Sequence, residues 1–365
     1  MELLSASARL ERISFRELGA WRTDDHSGSF SCFLQTAEAA LSNRSPLRPA
    51  QPVFDGLVEV FRAAQTIDPS SREAARQYFE TFFEPFHVKP REGQGFLTGY
   101  YEPEIRGSLS QSRAFPTPVL KRPDDLVSFH HEPPPPPLAP DLAAARQTSD
   151  GLVPYFDRAA IEDGALAEKK LEILYLPDPV ELFFAQVQGS ARIRLPDGRS
   201  MRLTYAGRNG HPYTTIGKII VVEGHIALAD LTLERFKAWL KSNPDHARRI
   251  MRLNKSYIFF ELSPCENAGE GPIGAASVPL RANRSIAIDR SLWCYGLPFF
   301  IRAQLPDTDG NIKDFERLMI AQDTGSAILG PARADLFFGS GDEAGRQAGL
   351  IRHKGDFFVL LPRIS

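Results

Sequence analysis

The chain has 365 residues, more than one compact domain usually holds, so two domains are expected. Apolar residues make up 42% and charged residues 24%, the balance of an ordinary globular protein. A net charge of −2 excludes a global field for nucleic acid or an anionic membrane.

Twenty-five phenylalanines and 29 prolines favour a β-rich chain with many turns. Cys32, Cys265 and Cys294 form no CxxC pair and read as neither a disulfide framework nor a zinc site. The eight histidines are scattered, and the adjacent His130 and His131 stand beside a proline run. No metal site and no cofactor are expected. No run of 18 apolar residues occurs, and "MELLSASARLERISF" lacks the basic and apolar regions of a signal peptide. Read alone, this implies a cytoplasmic or processed chain.

In chain order, "FSCFLQTAEAAL" predicts a helix with Phe30, Phe33, Leu34, Ala37 and Leu41 on one side. "PSSREAARQYFETFF" predicts another, with Ser70 and Glu73 as a capping box. Residues 113–140 are proline-dense and read as a stiff surface loop. From 171 to 225 the segments "LEILYL", "ELFFAQVQG", "ARIRL", "MRLTYAG" and "KIIVV" read as short strands, with "PDGR" as a turn. Thr232 caps a helical interval carrying Leu233, Phe236, Trp239 and Leu240, broken at Asn243-Pro244. Strands then resume to the end. This order suits one domain inserted into another.

Three aspartates stand at strand ends or within apolar runs: Asp289 in "SIAID", Asp323 in "IAQDTGS" and Asp335 in "ARADLFFG". Asp323 reads equally as a turn cap. Asp335 is costly in an apolar strand unless it is hydrogen-bonded or functional. Gln186 and Gln188 lie two apart, so on a strand both face one way, as a row of amides for a polar ligand would. Thr98, Tyr100, Tyr101, Tyr205, Asn209 and Tyr213 supply further hydroxyl, amide and aromatic surface. His211, before a proline, reads as structural, and Glu102 in "YYEP" is not assigned to catalysis.

"AQDTGSAILGPARADLFFG", with "SIAID" before it and "EAGRQAGLIRHKGDFFVLLP" after it, resembles the three-aspartate domain of the MltA-type lytic transglycosylases. "LTGYYEPEI", "FFAQVQGSARIRLPDGR", "YAGRNGHPYTTIGK" and "GAASVPL" resemble the family too, in order, so the likeness runs from about residue 10 to 362. It implies a mainly β, α+β fold: a discontinuous double-psi β-barrel domain, residues 1–103 and 229–365, with an inserted smaller β-barrel domain, residues 104–228, across a groove. It also implies non-hydrolytic cleavage of the β-1,4 bond between N-acetylmuramic acid and N-acetylglucosamine, leaving a 1,6-anhydro end.

By motif correspondence Asp335 is the acid/base, Asp323 its partner and Asp289 a supporting residue that orients the loop. Thr98, Tyr100, Tyr101, Gln186, Gln188, Tyr205 and Asn209 are the expected glycan contacts. The expected partners are peptidoglycan strands and, by extension, cell-wall enzyme complexes, with the chain itself a monomer and no nucleic acid bound. Family members are commonly outer-membrane lipoproteins, which implies a periplasmic, outer-membrane-associated location. No lipobox is visible here, since Cys32 falls inside a predicted helix. The rival readings are a hydrolytic muramidase using the Asp323–Asp335 pair and a catalytically silent peptidoglycan-binding protein.

Overall fold

The computed structural model describes residues 2–50, 54–129, 134–265 and 270–363. His130 and His131 lie outside them. The chain divides into two units. The first takes residues up to Tyr101, the stretch ending at Gly339 and everything from Arg346 onward; the second runs from Glu102 and takes in Ser340–Gly345.

The first unit holds helices α1 (Glu2–Ser7), α2 (His26–Leu41), α3 (Leu57–Ala64) and α4 (Arg72–Phe82), and strands β1 (Ala8–Arg12), β2 (Phe83–Pro90) and β3 (Phe96–Glu102). The second unit contributes β4 (Glu104–Arg106), β5 (Thr117–Leu120), β6 (Leu126–Ser128), β7 (Ala144–Thr148), β8 (Gly151–Pro154) and β9 (Glu172–Leu176). It continues with β10 (Ser190–Arg194), β11 (Ser200–Arg208) and β12 (Ile258–Pro264). Its helices are α5 (Arg158–Glu162), α6 (Pro179–Gln188), α7 (Ile216–Val222), α8 (Leu233–Ser242) and α9 (Pro244–Leu253). Strands β13 (Ser285–Ile288), β14 (Pro298–Pro306), β15 (Ile312–Asp323), β16 (Arg333–Ser340) and β17 (Arg352–Pro362) follow, with helix α10 (Gly341–Leu350) between the last two.

Six of these strands close on themselves in the order β3, β17, β14, β15, β13, β16 and back to β3. Closure removes free edges, and β2 and β1 extend the sheet from β17. Within the ring only β13 and β15 run parallel among the described pairings. Strand β14 is buried on both faces from Pro298 to Ile301, hence its unbroken apolar run.

The phenylalanines are concentrated where α2 and α4 pack. Phe30, Phe33, Tyr78, Phe79 and Phe83 meet mostly edge to face, as Phe33 and Phe79 do with centroids 5.7 Å apart at 78°. Asp25 caps α2 by accepting from the Gly28 N–H. The cap of α4 is Ser71, accepting from Ala74 N–H at 3.1 Å, not Ser70, whose hydroxyl donates to Asp68.

In the second unit β4, β10, β11 and β12 form one sheet, and "PDGR" turns β10 into β11 with Gly198 at φ 86°. Two segments expected as strands are helices. "ELFFAQVQG" lies in α6, opened by the Asp178 cap with Pro179 at its first position and closed by Gly189 at φ 80°. Leu182 and Ala185 enter one apolar cluster while Val180, Phe183 and Phe184 enter another. A helix buried on both sides loses its polar face, so its sequence imitates a buried strand. "KIIVV" lies in α7, where Ile216 and Ile220, four apart, bury together against α8 and α9.

That packing also corrects the expected boundary at 229. Leu240, Ala247, Ile250 and Met251 of α8 and α9 share a cluster with α6 and α7, and β12 pairs with β11. All three elements therefore belong to the second unit. It is a mixed sheet-and-helix body instead of the small β-barrel expected.

Candidate active site

The short strand β13 organises the site. On one side Ala287 pairs with Asp335 of β16; on the other it pairs with Asp323 of β15. Paired residues project to the same face of a sheet, so both carboxyls flank the small Ala287 side chain. Their backbones stand two strand spacings apart, roughly 10 Å.

A bulge makes this possible. Ile286 pairs with Ala321, yet Ala287 pairs with Asp323, leaving Gln322 as the extra residue. In regular register Ala287 would meet Gln322, and Asp323 would face the other way. Gln322 is held by its own bonds: its Nε2 donates to Cys32 O and Thr36 Oγ1 of α2, both at 2.9 Å, while Ser285 Oγ donates to its Oε1.

Strand β3 brings two hydroxyls to the same place. Thr98 and Tyr100 are two apart and share a face. Thr98 Oγ1 donates to Asp335 Oδ1 at 2.6 Å, and Tyr100 OH donates to Asp323 Oδ2 at 3.0 Å. Gly99 between them is required by space, since a Cβ there would lie 2.8 Å from Ala348 backbone and from the Phe338 ring. Tyr101, the next residue, is buried.

The two aspartates are held differently. Asp323 accepts from Tyr100 OH, from Ala275 N–H at 3.0 Å and from Thr324 N–H at 2.8 Å. Asp335 accepts only from Thr98 among the described residues. Its neighbours Tyr100, Ala287 and Phe337 form an apolar floor. Burial pushes the Asp335 carboxyl up to about 6, helped by the Asp323 charge and opposed by Thr98 and the Arg333 guanidinium. Tyr100 is pushed well above its ordinary value by burial and by both carboxylates, so it stays a neutral donor.

Asp289 touches neither aspartate. Its Oδ1 accepts from Ser291 N–H and Oγ, and its Oδ2 accepts from Gly330 N–H at 2.7 Å, fastening the loop between β15 and β16. Trp293 Nε1 donates to Pro331 O in the same loop.

The remaining expected contacts lie in the second unit. Gln186 and Gln188 sit on a helix, where a separation of two turns side chains about 200° apart. Gln186 is buried with Nε2 on Ile258 O, and Asn209 is buried, donating to Phe156 O and Lys255 O and accepting from Tyr257 N–H. Both amides are tied to backbone groups of the second unit. Gln188 and Tyr205 are half-buried. His211 Nε2 lies 2.8 Å from Tyr155 O, and burial raises Tyr213. Glu102 is fully buried between Arg192 and Arg202.

Two contributors were missed in the sequence. Ala275 acts through its backbone, and only the quoted "GAASVPL" segment hinted at it. Arg333 donates through Nη2 to Thr98 Oγ1 at 2.7 Å. Its place two residues before Asp335 on a strand was the available signal.

The family model described as the MltA specific insert domain matches residues 96–261, and that of the 3D domain matches 284–361. A solved membrane-bound lytic murein transglycosylase from Agrobacterium tumefaciens is 38% identical with a TM-score of 0.87, covering 97% of this chain and 98% of that one. This chain belongs to the MltA family. Membrane-bound lytic murein transglycosylase A of Escherichia coli strain K12 is 30% identical over 271 residues, 72% of this chain. The match spans 65% of that relative's length. The crystal structure of E. coli MltA with bound chitohexaose is 27% identical with a TM-score of 0.62, covering 85% of this chain and 82% of that one. The insert match of the MltA family ends within β12, the last strand of the second unit.

Proposed function

We propose that this chain is a lytic murein transglycosylase that cleaves the β-1,4 bond between N-acetylmuramic acid and N-acetylglucosamine without water. The observation that carries this reading is the pair of unlike aspartates flanking Ala287, in a chain whose named relatives are lytic murein transglycosylases. Asp335, raised to about 6, is poised to hold a proton. Asp323, with three donors on it, is built to accept.

In the proposed reaction Asp335 gives its proton to the glycosidic oxygen as the C1–O bond breaks and the sugar becomes oxocarbenium-like. The carboxylate so formed takes the proton of the same sugar's 6-hydroxyl. O6 then bonds to C1, closing the 1,6-anhydro ring and returning Asp335 to its acid form. The nucleophile is already tethered, which replaces the water and second carboxylate of a hydrolase. Asp323 keeps Tyr100 oriented and disfavours charge on Asp335.

The chitohexaose bound to the E. coli relative supports a glycan as the ligand class. Tyr101, Gln188 and Tyr205 are the proposed further glycan contacts. The six-stranded closed ring supports the double-psi reading of the first unit. The relatives' description as membrane-bound supports action at the murein layer, in the periplasm and at the outer membrane. Among the described residues no helix is long and apolar enough to cross a membrane.

The test is mass spectrometry of murein sacculi digested by the purified chain. Products one water lighter than reducing-end muropeptides are expected, and Asp335→Asn should abolish them while sacculus binding persists. Reducing-end products would instead identify a muramidase. Binding without any release would identify a silent binding protein.

A further inference from the structure

We infer that Arg333 is a positioning residue that fixes which oxygen of Asp335 carries the transferable proton, acting through the Thr98 hydroxyl. The inference rests on the transglycosylase reading for its catalytic meaning, but its geometry stands within one unit. Arg333 and Asp335 are two apart on β16, so their side chains share a face. Arg333 Nη2 donates to Thr98 Oγ1 at 2.7 Å, and Thr98 Oγ1 donates to Asp335 Oδ1 at 2.6 Å.

The direction of this chain follows from the chemistry of its members. A guanidinium has donors only, so Thr98 Oγ1 must accept from Arg333. A hydroxyl has one hydrogen, and the neighbouring positive charge turns it away from Arg333 toward the carboxyl. Oδ1 is therefore occupied as an acceptor. Among the described residues nothing donates to Oδ2, which is left as the oxygen that takes up and gives back the proton.

Arg333 is itself fixed. Its Nη1 donates to Ala334 O, its guanidinium lies 5.5 Å from the Phe96 ring centroid, and it is half-buried. An arginine needed only for solubility would not be held at three points beside a half-buried carboxyl.

The experiment combines two readouts. The first follows the Asp335 carboxyl by carbon NMR of aspartate-labelled protein across pH, assigned by its loss in Asp335→Asn, and needs no activity. The second is the pH profile of anhydromuropeptide release from sacculi. Both Arg333 and Thr98 hold Asp335 down, so in Arg333→Met its titration should move up by about one pH unit. The alkaline limb of kcat should follow, with kcat at pH 5 down about tenfold and KM changed less than twofold. Thr98→Ser, which keeps the hydroxyl, should leave the Asp335 titration where it is in the wild type. In kcat, Arg333→Met combined with Thr98→Val should be no worse than Thr98→Val alone, because the second change removes the relay through which the first acts, whereas the titration keeps the direct effect of the Arg333 charge.

An unmoved Asp335 titration in Arg333→Met, or full additivity in kcat in the double variant, overturns the inference. If the wild-type chain releases no anhydro products, the functional reading falls while the titration still decides the role of Arg333.

Discussion

Asp335 is a carboxyl whose environment makes it an acid near neutral pH at the expense of stability. Its folded value of about 6 lies above the unfolded value of about 3.9. The folded state therefore binds this proton more tightly, and the stability it brings is full below about pH 4 and lost as pH rises through about 6. Above that, the protein carries a charged carboxylate in a desolvated place. Asp335→Asn removes the charge and keeps an acceptor for Thr98. It should stabilise the chain by about 2 kcal/mol at pH 7.5 and by nothing at pH 4, measured as urea midpoints. For the wild type, kcat/KM should decline as pH rises through about 6, since the acid must start protonated. A gain over the wild type no larger at pH 7.5 than at pH 4 would show that burial does not raise Asp335.

At the scale of elements, one bulge decides whether the aspartates share a face. Asp323 reaches the face that carries Asp335 because Gln322 is the extra residue in β15, and Gln322 stays because its amide bonds to α2 and Ser285. Gln322→Leu keeps the volume and removes all three bonds: the buried Ser285 hydroxyl loses its acceptor, while Thr36 Oγ1 keeps only its bond to Cys32 O. The expected cost is about 2–4 kcal/mol of unfolding free energy. A fall in kcat should accompany it, as the bulge loosens and Asp323 loses its fixed position beside Tyr100. Wild-type stability in urea would show that the bulge is held by the strand ladder alone. The aspartates were legible because charge in an apolar strand is conspicuous. The bulge was not, because an extra residue leaves no mark on a two-residue alternation. The helices α6 and α7 were misread for a related reason: burial on two sides and β-branched residues remove the polar stripe that announces a helix.

At the scale of the whole molecule, the first unit was more legible than the second. The strand runs near the C-terminus end at glycines, prolines and aspartates, and they form β13–β17 as read. The second unit's extent depended on long-range packing of α8, α9 and β12, which no local pattern records. Glu102, left out of catalysis on its sequence setting, is the first residue of that second unit and is wholly buried. Arg202 Nε donates to it at 2.7 Å, Ser340 Oγ at 2.6 Å, and Arg192 Nη2 lies 3.4 Å away. Removing one partner of such a cluster strands the others without compensation, so Glu102→Leu should cost about 3–5 kcal/mol. The loss should be local. Arg192 lies on β10, which pairs with β4, and Arg202 on β11, which pairs with β10, so amide hydrogen exchange should quicken in those three strands while β14 and β15 keep their protection. Uniform loss of protection would mean that the two units unfold as one. Unchanged exchange would mean that the arginines find other partners and that the buried carboxylate is dispensable to the fold.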